Sequence, residues 1–101
     1  MSYDQFKRYV ILLNNNDGKE TPDTAIRQHV AYLRDLDAKS KLVLCGPFTD
    51  FKGGMVIIKA ENLDEAIGIA KSDPFVAGGY RSYEVRTWLL SCEDNNHLGR
   101  G

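Results

Sequence analysis

Apolar residues fall in short β-rich runs, separated by two stretches of helical periodicity. The run Tyr9-Val10-Ile11-Leu12-Leu13 meets Asn14-Asn15-Asn16-Asp17-Gly18, whose turn chemistry stops a strand. Thr21-Pro22 predicts a helix start, with Thr21 as N-cap and Pro22 at the first helical position. Ile26, His29, Val30, Leu33 and Leu36 then recur at three- and four-residue steps, so the helix carries one apolar stripe and ends near Lys39. Leu42-Val43-Leu44-Cys45 predicts a second strand ended by Gly46-Pro47. Met55-Val56-Ile57-Ile58-Lys59 predicts a third, the hairpin partner of the second, with Gly53-Gly54 in the turn between them. Asn62 followed by Glu65 is a near capping box for a second helix, whose stripe is Leu63, Ala66, Ile67 and Ala70. Asp73-Pro74 interrupts that helix, because a residue before proline avoids helical backbone. Val76-Ala77-Gly78-Gly79 adds at most one short turn, and Ser82 to Leu90 predicts the fourth strand.

The order β-α-β-β-α-β is the split βαβ pattern of ferredoxin-like domains. The expected fold class is α+β: a ferredoxin-like βαββαβ domain with a four-stranded antiparallel sheet and two helices on one face. Residues 1–91 form this domain and residues 92–101 a polar, frayed tail. The strands at 9–13 and 55–58 are apolar at consecutive positions, so both sheet faces carry apolar side chains. Two helices cover only one face, and a second copy packed sheet to sheet would cover the other. A homodimer is therefore expected.

Composition narrows the function classes. The 101 residues fit one domain, and 43% hydrophobic with 27% charged residues is ordinary globular usage. Thirteen basic against fourteen acidic residues leave a net charge of -1, and there is no basic run to serve nucleic acid or an anionic membrane. No apolar stretch approaches a membrane span, and Met1-Ser2-Tyr3-Asp4-Gln5 lacks the character of a secretory leader. Cys45 and Cys92 have no close-spaced partner and read as reduced thiols, Cys45 as a buried and inert one. The expected location is cytoplasmic. His29, Cys45, Cys92 and His97 lack metal-ligand spacing, and neither Gly-Gly pair makes a phosphate loop, so neither metal nor cofactor is expected.

His29 is the candidate for chemistry. It stands on the apolar stripe of the first helix, and histidine is the side chain that ordinarily titrates near neutrality. Such a residue either exchanges protons as a general acid and base or is a core histidine bonded to backbone. Asp73 has two readings as well. Before Pro74 it is a good N-cap for a following turn, and its carboxylate is equally able to orient an imidazole. Gly46-Pro47 and Gly53-Gly54 most simply make turns, but missing side chains also leave room for a ligand beside the sheet. Phe48, Phe51 and Phe75 read as packing or as pocket walls, and Asp50 as a turn residue.

In order and spacing the set His29, Gly46-Pro47, Gly53-Gly54 and Asp73-Pro74-Phe75 resembles the YciI-like family. Members share a helix histidine, a Gly-Pro after strand two, glycines at the next hairpin and an Asp-Pro-aromatic motif. The resemblance spans nearly the whole chain apart from the tail. It implies a dimeric α/β barrel of ferredoxin-like protomers, with a site built from His29 and Asp73. Similar proteins act on ring compounds, including dehydrochlorination of a chlorinated hydroxyquinol, and the fold resembles that of muconolactone isomerases.

The expected function is thus a small enzyme using His29 and Asp73 for cofactor-independent acid-base chemistry, of isomerase or lyase type, on a small and cyclic organic molecule. Pro47, Phe48, Gly54 and Phe75 are the expected substrate-binding residues. The rival is a non-catalytic dimeric module that binds a ligand or a partner, in which His29 and Asp73 serve shape and stability.

Overall fold

The computed structural model describes residues 4–99. The chain runs β1 (Lys7–Asn15), α1 (Asp23–Ala38), β2 (Leu42–Pro47), β3 (Gly53–Ile58), α2 (Leu63–Ser72), a single turn α3 (Pro74–Ala77) and β4 (Arg81–Leu89). The strands form one antiparallel sheet in the order β2-β3-β1-β4. This is the expected ferredoxin-like arrangement.

Pleat alternation sorts the side chains. Tyr9, Ile11 and Leu13 of β1 share a face with Val56 and Ile58 of β3 and with Tyr83 and Val85 of β4, by register. This face meets the helices and forms the core, where Ile58 is wholly buried. Helix α2 contributes Ala66 and Ala70, four residues apart and fully buried, so the helix backbone sits close to the sheet. Asn62 caps it by accepting the Glu65 N–H at 2.9 Å, as its sequence predicts. Leu63 falls at the helix entrance and is exposed, so the buried stripe is shorter than the periodicity suggests.

Helix α1 packs differently. Leu36 is buried, yet Ile26 and Val30 are 42% and 38% exposed although they lie on the apolar stripe. Ile26 and Val30 thus stand off the sheet and face a cavity rather than the core, although Ala25 beside them is buried. The helix start also departs from expectation. Pro22 occupies the N-cap position with extended backbone, and its carbonyl accepts from Ala25 and Ile26. Thr21 makes no cap, because its hydroxyl is engaged by Arg81 at 2.7 Å.

Both Gly-Pro and Gly-Gly lie inside strands rather than in turns. Pro47 pairs with Gly54 and Gly46 with Met55. Proline is tolerated there because β2 is an edge strand, with an outer side that needs no N–H. A side chain at Gly53 would collide with the Leu13 carbonyl, and a Cβ at Gly54 would lie 2.9 Å from the Gly46 carbonyl oxygen. Close strand approach therefore selects glycine at both positions.

The opposite face presents Val10, Leu12 and Met55 half-buried, with Leu44 67% and Trp88 41% exposed. The C-terminal segment is not frayed over its described part. Asn95 is buried, accepts from Cys92 N and Leu98 N, and donates to the Leu90 carbonyl, closing a tight turn within Glu93–Gly99. Residues 1–3 of the expected domain, and Arg100 and Gly101 of the expected tail, lie outside the described residues.

Candidate active site

Pro74 is where the site begins. Its ring forces Asp73 out of helical backbone (φ −61°, ψ 128°), ending α2 and opening α3 one residue later. Asp73 Oδ1 caps the new turn by accepting the Phe75 N–H at 2.9 Å. The same oxygen lies 2.8 Å from Nδ1 of His29, which arrives from α1, 44 residues earlier in the chain. Both readings of Asp73 therefore hold together, on a single atom. The carboxylate and imidazole are well buried, at 6% and 13% side-chain exposure. The Phe75 ring lies parallel to the imidazole, with centroids 3.9 Å apart and planes inclined by 11°. The hydrogen bond sets the rotation of the imidazole, and the stacked ring sets its plane.

A carboxylate oxygen only accepts, so the bond to Asp73 assigns the N–H to Nδ1 in neutral His29. Nε2 then keeps its lone pair, and it has no hydrogen-bond partner among the described residues. His29 borders a cavity of about 520 Å³ between α1 and the sheet. Its walls are largely aliphatic, including Leu13, Ile26, Val30 and Leu33. Pro47, Gly54 and Phe75 border it as well, and Gly46 and Gly53 add stretches of bare backbone to a sheet side otherwise lined by Leu13, Cys45, Met55 and Val56. Asp73 lies behind the imidazole, outside this lining.

Phe48 is not part of the cavity wall. It lies past the end of β2, its N–H bonds to the Gly53 carbonyl, and its ring meets Phe51 edge-on at 6.4 Å. Asp50 belongs to the same hairpin loop and borders a separate polar hollow beside Asn14 to Lys19. Cys45 is exposed and lines the cavity, where a buried thiol was expected. An apolar run reads as core, but the inner side of this edge strand looks into the cavity. Among the described residues no three of His, Cys, Asp and Glu converge as a metal-ligand set, and no helix is long and apolar enough to cross a membrane.

The model of the YCII-related domain matches residues 7–89. The chain belongs to that family. Over 62 residues it is 39% identical to the uncharacterized protein YjpA of Bacillus subtilis (strain 168), covering 61% of this chain and 73% of that one. Among solved structures it is similar to 5-chloro-2-hydroxyhydroquinone dehydrochlorinase (TftG) of Burkholderia phenoliruptrix AC1100, in complex with 2,5-dihydroxybenzoquinone. The TM-score is 0.63 at 26% identity, over 80% of this chain and 92% of the other.

Two further residues shape the electrostatics of this YCII-related site. Tyr32, one turn after His29 on α1, donates its hydroxyl to the Ile69 carbonyl at 2.8 Å and ties α1 to α2. Burial pushes its phenol above the usual range. The negative charges of Asp73 and Asp35 add to this, and the nearby Ser72 side chain opposes it. Arg81, at the start of β4, lines the cavity and sets its guanidinium carbon 4.6 Å from the Phe75 ring centroid. Burial holds its guanidinium below the usual arginine range, and the charge of Asp73 only partly opposes this. Sequence reasoning missed Arg81 by starting the strand at Ser82; the available signal was a lone arginine between a Gly-Gly turn and an apolar strand.

The double role of Asp73 predicts different losses in two variants. Asp73→Asn keeps an oxygen for the Phe75 N–H, whereas Asp73→Ala gives up the cap as well. Urea unfolding should find the alanine variant less stable than the asparagine variant by about 1 kcal/mol. The raised Tyr32 phenol predicts an alkaline effect. Above about pH 10 the unfolded phenol ionises first while the folded one holds its proton, so folding free energy is lost as pH rises from there through the folded phenol's own range. Between about pH 9 and about pH 11 the wild type should lose more stability than Tyr32→Phe, as read from denaturation midpoints.

Proposed function

We propose that this YCII-related protein is a cytoplasmic, homodimeric enzyme that moves a proton on a small cyclic organic molecule, as an isomerase or a lyase. The observation that carries this reading is the 2.8 Å His29–Asp73 pair at the edge of an otherwise apolar cavity. Nε2 of His29 takes a proton from a C–H or O–H of the substrate, and the electron pair of that bond moves into the substrate's conjugated frame. Asp73 stabilises the resulting imidazolium through Nδ1–H. Return of the proton to another atom completes an isomerisation. Loss of a leaving group as an anion completes an elimination, with the proton delivered to that anion or to solvent. The exchange is closed in protons and electrons, so chemistry of this kind needs no cofactor. The dehydrochlorinase activity in the name of TftG is an elimination from a hydroxylated ring, which supports the lyase form and the cyclic substrate.

Turnover on a panel of lactones and hydroxylated or halogenated aromatics tests the assignment. His29→Gln, checked for folding, should lower kcat by about 10²- to 10⁴-fold on any substrate the wild type converts. Unchanged turnover in both His29→Gln and His29→Ala would favour the ligand-binding module instead.

The dimer rests on the uncovered sheet face, where Leu44 and Trp88 stand exposed beside half-buried Val10, Leu12 and Met55. Packing that face on its counterpart would remove these side chains from water, and a domain of this size gains noticeably from association. Equilibrium sedimentation at micromolar concentration should return the mass of two chains. A stable monomer would contradict this part of the reading.

A further inference from the structure

Among the described residues, Arg81 is the one side chain of the cavity wall that carries a permanent charge. Half-buried, it has no carboxylate within 4.0 Å among the described residues. The guanidinium is partly withdrawn from water, while its N–H groups beyond Nη1 still reach the accessible surface, where an acidic partner can take them. Its anchoring is one-sided. Nη1 donates to Thr21 Oγ1 at 2.7 Å and to the Tyr80 carbonyl at 3.1 Å, using both hydrogens of that nitrogen. Contact with the Phe75 ring fixes the plane of the group. Nε and Nη2 have no hydrogen-bond partner among the described residues. Those two nitrogens form the edge of a guanidinium that matches two acceptor oxygens or one oxyanion. A purely structural tie between β4 and the Thr21 loop explains Nη1 and the stacking. It does not explain why a cation that feels Asp73 only at a distance, with no carboxylate in direct contact, borders an aliphatic cavity beside an imidazole.

We propose that Arg81 is the anion-binding residue of the cavity, and that the site takes small planar molecules carrying a conjugated oxyanion, either a carboxylate or an ionised enol or phenol. The inference rests on the reading of this cavity as a substrate site. The aliphatic wall from α1 and the Phe75 ring receive the flat carbon frame, and Nε and Nη2 of Arg81 receive the charged oxygen. The charges also complement each other during proton transfer. When His29 takes a proton, Asp73 balances the imidazolium, and the electron pair left on the substrate settles on the oxygen that faces Arg81. Arg81 thereby selects for substrates whose conjugation reaches from the reacting bond to that oxygen.

Calorimetric binding to matched pairs tests the assignment without requiring turnover. One pair is benzoate and benzamide, and the other is 2,5-dihydroxybenzoquinone and its non-ionisable 2,5-dimethoxy ether. The wild type should bind the charged member of at least one pair about 10- to 100-fold more tightly than the neutral one. Whichever pair shows the larger ratio identifies carboxylate or enolic oxygen as the preferred anion. Arg81→Gln should reduce that ratio to near one by weakening the anion alone, and Arg81→Lys, which keeps the charge but not the fork, should restore part of it. His29→Gln should keep the ratio, because the imidazole is not the anion's partner. A ratio that survives in folded Arg81→Gln overturns the proposal, even if the His29 variants lose turnover as expected. Equal affinity for charged and neutral members, or no binding of either, overturns it too. Loss of the ratio in Arg81→Gln together with undiminished turnover in the His29 variants removes the proton-transfer reading and leaves the anion site standing.

Discussion

Everything distinctive about this protein passes through one carboxylate oxygen. Asp73 Oδ1 accepts the N–H that starts α3 and the N–H of the His29 imidazole. Because Pro74 ends α2 at that point, the next residue, Phe75, is delivered beneath the imidazole. Helix α1, the α2–α3 corner and the stacked rings are thus fixed by a single acceptor. A buried carboxylate costs free energy unless it is hydrogen-bonded, and here its partners are also the groups that need orienting. The stability of the corner and the geometry of the pair have one cause.

The fold was largely legible in the chain because its signals are local. A β-rich apolar run marks β1, partial alternation marks β4, the Asn62 cap marks α2, and Asp73-Pro74 marks the break, each within a few residues. Strand ends were less legible. Gly46-Pro47 and Gly53-Gly54 carry turn chemistry yet lie in β2 and β3, because an edge strand tolerates proline and close strand approach demands glycine. Thr21 shows a different limit. Its hydroxyl was available to cap α1, but a partner 60 residues away claims it.

The His29–Asp73 pairing was legible only through a known pattern. Forty-four residues separate the two, and no periodicity links a helix stripe to a helix break across that distance. Burial was misread at three residues that border the cavity from α1 and the edge strand. Ile26, Val30 and Cys45 have the neighbours of core residues, and hydrophobic spacing cannot distinguish a wall from an interior. Arg81 escaped for the opposite reason, since a single arginine between a turn and a strand looks like ordinary surface.

Those misread aliphatic residues give α1 an unusual standing. Its C-terminal half is secured by Leu36 in the core, whereas Ile26 and Val30 in the other half face empty volume. The folded chain by itself leaves part of its hydrophobic free energy unspent. A molecule that fills the cavity completes that burial and becomes, in thermodynamic terms, a temporary piece of the core. By mass action it would hold the native state more firmly by about 2.7 kcal/mol at a hundredfold excess over its dissociation constant. The helix that presents the histidine would then be most rigid when occupied and most open to local unfolding when empty.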